Sequence, residues 1–253
     1  MQVDLVTGLG SDRARAEASL EELGLVLPLA QRALWLQARG SDDALMIVAR
    51  NDGDRPVAAT GVSIALSRAM PGHRLYRVER MSAAQRDDVD DALLLALMNA
   101  ARRDASCLRV SIEVFERDDT RRARLSRILR EHGFVGSVEM RSYERTLALE
   151  LSPGADALLA GLAMKVRRNI REPAKRGLEI RRVSDLALAP RLEALLRETY
   201  ERTGGVAPQL PWATVIALSE REPHRSRISG LFDPAAPGPD TLIGYTWGAV
   251  HGD

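Results

Sequence analysis

Cysteine, lysine and aromatic residues are all scarce in this 253-residue chain. A single cysteine, Cys107, excludes an internal disulfide, and its apolar neighbourhood reads as that of a buried, inert thiol. Aromatics make up 4% of the residues, so Leu, Ala and Val must fill the core. No apolar run approaches the roughly 18 residues of a membrane span. The N-terminus carries no signal-peptide core either, so a cytoplasmic protein is expected, with peripheral contact to an anionic membrane face left open. Four histidines, His73, His132, His224 and His251, show no metal-ligand spacing with each other or with Cys107, and no metal site is expected. Neither a serine nucleophile elbow nor a phosphate-binding glycine loop is present.

What the chain does contain is charge, unevenly placed. Its 36 basic and 35 acidic residues nearly cancel, and 45% hydrophobic content is ordinary for a globular protein. The two lysines, Lys165 and Lys175, share one stretch, Met164-Lys165-Val166-Arg167-Arg168-Asn169-Ile170-Arg171-Glu172-Pro173-Ala174-Lys175-Arg176-Gly177. Eight basic residues between Lys165 and Arg182 face two acidic ones, Glu172 and Glu179. Such a patch attracts anionic partners even when the total charge is near zero.

The length suits one large domain or two of ordinary size. Periodicity predicts strands at 3–7, 45–49, 57–66, 74–80 and 108–115, with a hairpin turn at Asn51-Asp52-Gly53-Asp54. Helices are expected over 13–36, 87–103 and 120–132, the last closed by Gly133 with Phe134 packing back. A long strand over 138–151 completes the first set, and a domain boundary is placed near Leu151. The pattern then restarts, with helices over 154–176, 189–202 and 211–222 and strands at 178–183, 229–232 and 242–251. The domains are therefore expected at 1–150 and 151–253.

On a helical wheel Leu158, Leu159, Leu162, Val166 and Ile170 share one face of the 154–176 helix, which suits packing. Arg167, Arg168, Arg171 and Lys175 gather opposite, with Lys165 and Asn169 toward a margin. Guanidinium forks suit phosphate or carboxylate oxygens; the alternative is a solvated surface face. Pro173 removes the bond to the Asn169 carbonyl and should kink or end the helix there. Tyr200 and Trp212 are considered as an aromatic wall beside the helix, with core packing the simpler role. Glu113 and Glu116 are read as solvated or structural, and His132 as a cation at a helix C-terminus.

The motif Lys165-x-Arg167-Arg168-Asn169-Ile170, followed by Lys175-x-Gly177, resembles the signature helix of the FemABX family. These are aminoacyl-tRNA-dependent peptidyltransferases and relatives built from tandem GNAT (acyl-CoA N-acyltransferase) domains. Leu27-Pro28-Leu29-Ala30-Gln31 with Trp35-Leu36-Gln37-Ala38 resembles the family's N-terminal segment. Tyr143 to Leu151 resembles the strand entering the helix, and Tyr200-Glu201-Arg202-Thr203-Gly204 the segment after the next one. Pro173 departs from the family's usual alanine.

The resemblance implies an α/β (α+β) fold, with a mixed central sheet flanked by helices in tandem GNAT-like domains. It implies transfer of an aminoacyl or acyl group to an amine, on a peptidoglycan precursor in the family. Lys165, Arg167, Arg168, Asn169, Arg171, Lys175, Tyr200 and Arg202 are then the expected substrate-binding residues; no catalytic residue is assigned. No tightly bound cofactor is expected, the donor being aminoacyl-tRNA or acyl-CoA. Expected partners are an anionic small-molecule or lipid-linked substrate and tRNA, but not DNA. An acyl-CoA-dependent N-acetyltransferase and a non-catalytic RNA- or anion-binding module are the alternatives. The turn Met81-Ser82-Ala83-Ala84-Gln85-Arg86 contains no glycine, so the first domain is not expected to bind coenzyme A. The related proteins continue past the equivalent of Asp253, so the second domain is expected to be incomplete.

Overall fold

The computed structural model describes residues 1–41, 43–137 and 149–250. Two compact units emerge, one built on Met1–Val135 and one on Gly136–Gly248. The strand expected over 138–151 falls mostly outside the described residues, as does the family-like segment around Tyr143.

The N-terminal unit is a five-stranded mixed sheet in sequential order: β1 (Gln2–Thr7), β2 (Asp43–Arg50), β3 (Pro56–Leu66), β4 (Arg74–Met81) and β5 (Cys107–Val114). The first four run antiparallel, and β5 joins β4 in parallel through a crossover helix, α3. The β2–β3 hairpin forms where expected, because the Asn51 side chain accepts the N–H groups of Gly53 and Arg55.

Residues Ala44–Ala49 of β2 are buried without interruption, since both faces of the sheet are covered. On one side Leu45, Ile47 and Ala49 meet Leu93, Leu94 and Leu97 of α3 (Asp87–Arg103) and Leu125 and Ile128 of α4 (Asp119–Glu131). On the other, Met46 and Val48 meet Leu20 of α1 (Ser11–Glu22) and Leu27. The helix expected over 13–36 is therefore not continuous. It is broken after α1 at Gly24 (φ 77°), passes through a short 3-10 turn at Leu29–Gln31, and resumes as α2 (Ala33–Ala38). Gly24 takes a left-handed turn and Pro28 cannot extend the first helix, which overrides the apolar spacing.

Helix α3 follows its macrodipole, with Asp87, Asp88 and Asp90 in the first turn and Arg102 and Arg103 in the last. Helix α4 is capped by Asp118, which accepts the Arg121 N–H at 2.8 Å. It ends as expected at Gly133 (φ 86°), with the Phe134 N–H returning to the Leu129 carbonyl.

The C-terminal unit begins with two helices, α5 (Gly154–Gly161) and α6 (Met164–Lys175). These correct the single expected helix, and the break lies at Leu162-Ala163 rather than at Pro173, because both residues adopt extended backbone (ψ 150° and 147°). Pro173 is accommodated inside the last turn, which closes with Gly177 at φ 74° and the Leu178 N–H on the Pro173 carbonyl at 3.0 Å. Strand β6 (Glu179–Arg182) pairs antiparallel with β7 (Ser226–Phe232), and β8 (Leu242–Ala249) follows β7 in the sheet. Helices α7 (Ala189–Thr203) and α8 (Trp212–Arg221) supply the core with Leu192, Leu195, Val215 and Ile216, against Ile228 and Phe232 of β7 and Leu242 of β8.

Candidate functional site

The basic stretch occupies α6. Arg168, Arg171 and Lys175 stand at i, i+3 and i+7, a spacing that lines them up along one helix face. With Met164 and Arg167 they wall a shallow, open groove. All three are exposed, and none has a hydrogen bond or ion pair among the described residues. The contrast with the N-terminal unit is plain: there Arg50, Arg74, Arg86, Arg122 and Arg127 are each matched to a carboxylate.

Arg167, which also lines the groove, makes structural contacts as well. Its Nη1 donates to the carbonyls of Ala160 (2.9 Å) and Leu162 (2.7 Å). These are orphan acceptors at the C-terminal end of α5, so the guanidinium ties the two helices together across their break. Lys165, Asn169, Tyr200 and Arg202 are not among the groove's walls. Asn169 and Arg202 are exposed, and half-buried Tyr200 lies close against Gly205.

The apolar side of α6 differs from the expectation. No residue of α5 or α6 is buried, and Val166 and Ile170 remain 42% and 52% exposed. The pattern of Leu158, Leu159, Leu162, Val166 and Ile170 marks a face, but its burial among the described residues is only partial.

Trp212 is core, not a wall of the groove. It is 4% exposed, with its ring 5.0 Å from Tyr245 and 6.4 Å from Trp247, both edge-on. Burial pushes the Tyr245 phenol up to about 12. Trp247 donates to the Ser226 hydroxyl at 2.9 Å, and that hydroxyl shares a 2.8 Å hydrogen bond with Ser219.

In the N-terminal unit the turn between β4 and α3 is filled by its own carboxylates. The Ala84 N–H donates to Asp90 at 2.9 Å and the Ala83 N–H to Glu116 at 3.3 Å. Arg124 binds both the Ala84 carbonyl and Asp90, while Arg121 binds the Ala83 carbonyl and Glu116. Asp90 is fully buried, and desolvation pushes its carboxyl up despite Ala84 and Arg124. Backbone donors of Ala83 and Ala84 are thus engaged by Glu116 and Asp90. Glu116 is structural, as expected. Cys107 is half-buried, and burial with nearby Asp104 raises its thiol, in keeping with an inert role. Among the described residues no group of histidine, cysteine and acidic side chains is arranged to hold a metal.

Sequence reasoning passed over Arg80. It is a non-glycine residue in the left-handed region (φ 55°), with its guanidinium 4.8 Å from the Phe115 ring centroid. No local composition signals that conformation; the carbonyl of the preceding residue, Glu79, accepts a hydrogen bond from the distant Gln31 side chain.

This is a mixed α/β protein with helices flanking its sheets, the class expected of a FemABX- or GNAT-like fold. It is similar to the crystal structure of FemX, with a TM-score of 0.66 and 16% identity over 91% of this chain and 57% of that one. At this identity the likeness is one of fold, and the chain spans little more than half of the FemX length. Two smaller enzymes also match. Glucosamine-6-phosphate N-acetyltransferase from Arabidopsis thaliana shares 13% identity over 57% of this chain and 100% of its own, at a TM-score of 0.36. Ribosomal-protein-alanine N-acetyltransferase from Brucella melitensis biovar Abortus 2308 shares 17% over 58% and 100%, also at 0.36. No family model and no curated protein sequence matches the chain.

Proposed function

We propose that the chain belongs to an acyltransferase that moves an aminoacyl or acyl group onto an amine, with a phosphorylated peptidoglycan precursor as the acceptor. The observation that carries this reading is the row Arg168, Arg171 and Lys175 on α6, without a partner among the described residues, in a chain whose fold follows FemX over 91% of its length. In the reaction the amine nitrogen attacks the donor carbonyl, a C–N bond forms, and the tRNA oxygen leaves with the electrons of the C–O bond. The amine proton is lost to solvent or to the leaving oxygen. The role of α6 is to hold the acceptor's phosphate or carboxylate, with Arg168 and Arg171 as bidentate donors and Lys175 as a mobile point charge. Arg167 supports this row by fixing the α5–α6 junction.

The test is the double charge reversal R168E/R171E, assayed for binding of the phosphorylated precursor and for transfer of a labelled aminoacyl group from tRNA. Precursor affinity is expected to fall by about a hundredfold, the worth of two charge-assisted contacts. Unchanged affinity would remove α6 from the acceptor site. Transfer from acyl-CoA instead of aminoacyl-tRNA would reassign the donor and leave the acceptor site standing.

A further inference from the structure

The ladder between β3 and β4 runs from Leu66↔Arg74 to Ser63↔Arg77. Its register continues outward at Ser67, whose N–H donates to the His73 carbonyl at 2.8 Å. Because hydrogen-bonded pairs alternate in antiparallel sheets, the same phase makes Gly61 and Glu79 a hydrogen-bonded pair. That bond is occupied by a side chain. Gly61 donates its N–H to Oε1 of Gln31 at 2.8 Å, and Nε2 of Gln31 donates to the Glu79 carbonyl at 2.6 Å. The Gln31 carboxamide is thus inserted between the two strands in place of their direct contact.

Gln31 is itself held. Its carbonyl accepts Nη2 of fully buried Arg13 at 2.7 Å, and Arg13 Nε is paired with Glu17 at 2.7 Å. On the far side of β4 the pairing with β5 also slips. Val78 faces Ile112 and Met81 faces Val114, so β4 carries one extra residue across Glu79 and Arg80. The Glu79 carbonyl and the Arg80 N–H belong to one planar peptide group. Anchoring that carbonyl on Gln31 therefore fixes the plane about which Arg80 turns to φ 55°.

Arg80 is also electrically unusual. Among the described residues of the N-terminal unit it is the half-buried arginine without a carboxylate partner. Its guanidinium carbon lies over the Phe115 ring, 4.8 Å from the centroid. A left-handed arginine costs about 1 kcal/mol or more, and such strain persists where surroundings impose it and function uses it.

We propose that Arg80 contacts a ligand oxyanion, phosphate or carboxylate, at a site of the N-terminal unit distinct from α6, and that Gln31 is its positioning residue. This inference does not depend on the acyltransferase reading. The test uses the full chain labelled with 15N- and 13C-arginine, titrated separately with inorganic pyrophosphate and with succinate. The Arg80 Nε–H signal is assigned by its loss in Arg80→Gln. At least one anion is expected to shift that signal saturably, and which one does so tells phosphate from carboxylate. Arg80→Gln should lower the affinity about tenfold, the worth of one charge-assisted contact. Gln31→Ala should do the same and move the Arg80 carbon shifts out of the left-handed pattern. If Gln31→Ala does not fold, Gln31→Glu is read in the same way; it keeps an acceptor for Gly61 and has no donor for Glu79. The proposal is overturned if neither anion moves the Arg80 signal, or if Arg80→Gln binds as wild type does. It is also overturned if the Gln31 variant leaves both affinity and Arg80 conformation unchanged.

Discussion

Gln31 and Gly61 are matched to each other at atomic scale: the carboxamide oxygen of one accepts the N–H of the other at 2.8 Å. A Cβ on residue 61 would overlap the Gln31 carbonyl oxygen and lie 2.8 Å from the Gln31 Cβ and 2.9 Å from Nη2 of Arg13. Two of these three atoms belong to the glutamine that parts β3 from β4, and the third belongs to the buried arginine that holds it. Glycine at 61 is what allows a side chain to enter the sheet.

Gly61→Ala is therefore expected to cost about 3 kcal/mol, since neither the backbone oxygen nor the buried arginine can easily withdraw. Chemical denaturation should show a lowered midpoint. A midpoint equal to wild type would mean that Gln31 moves freely, contrary to its hydrogen bonds.

The two arginines at 167 and 168 should separate cleanly. Arg167→Ala removes the donor to Ala160 and Leu162 and is expected to cost about 1 kcal/mol. Arg168→Ala should stay within about 0.5 kcal/mol of wild type, as an exposed side chain without a partner among the described residues. Thermal melts of the two variants decide, and equal stability losses would refute the division of labour.

Tyr76 makes stability sensitive to alkali. Its hydroxyl donates to Asp104 at 3.0 Å, and burial, then that carboxylate, push the phenol up to about 12. The fold thus favours the protonated phenol, whose ordinary value is near 10. Its contribution is complete below that value and is lost as pH rises from about 10 toward 12. Tyr76→Phe should flatten stability across this window, and an unaltered alkaline profile would contradict the assignment. Asp104 has the opposite sign: Ser106, then Tyr76, lower its carboxyl, so its contribution is lost as acid protonates it.

Asp90 holds the β4–α3 turn from inside. Asp90→Ala would strand the Ala84 N–H and leave Arg124 without its buried partner, at a cost of about 3 kcal/mol. Asp90→Asn keeps an acceptor for Ala84 and should cost less. The order of the two midpoints is the measurement, and a reversed order would show that charge matters more here than the backbone acceptor.

Much of the N-terminal unit was readable locally. The Asn51 hairpin, α3 with its acid-to-base polarity and the Gly133 end of α4 are each specified by residues within one turn of the feature. The two helix breaks were not so read, because apolar spacing runs through both. At Gly24 a single left-handed residue overrides the pattern. At Leu162-Ala163 the preceding Gly161 is a weak local mark that the apolar spacing runs through, and Arg167 reaches back across the bend to α5.

For the candidate sites the division is similar. The chain's own residues determine that cations gather on α6, since their spacing is a property of one helix, and that the turn after β4 offers no glycine to a phosphate. Tertiary structure decides which cations stand free, because Arg167 is engaged by carbonyls that exist only once α5 has ended. It likewise decides that Arg80 takes a left-handed backbone. The peptide carbonyl just before it is held by Gln31, and contacts between residues so far apart in the chain leave no local pattern to read.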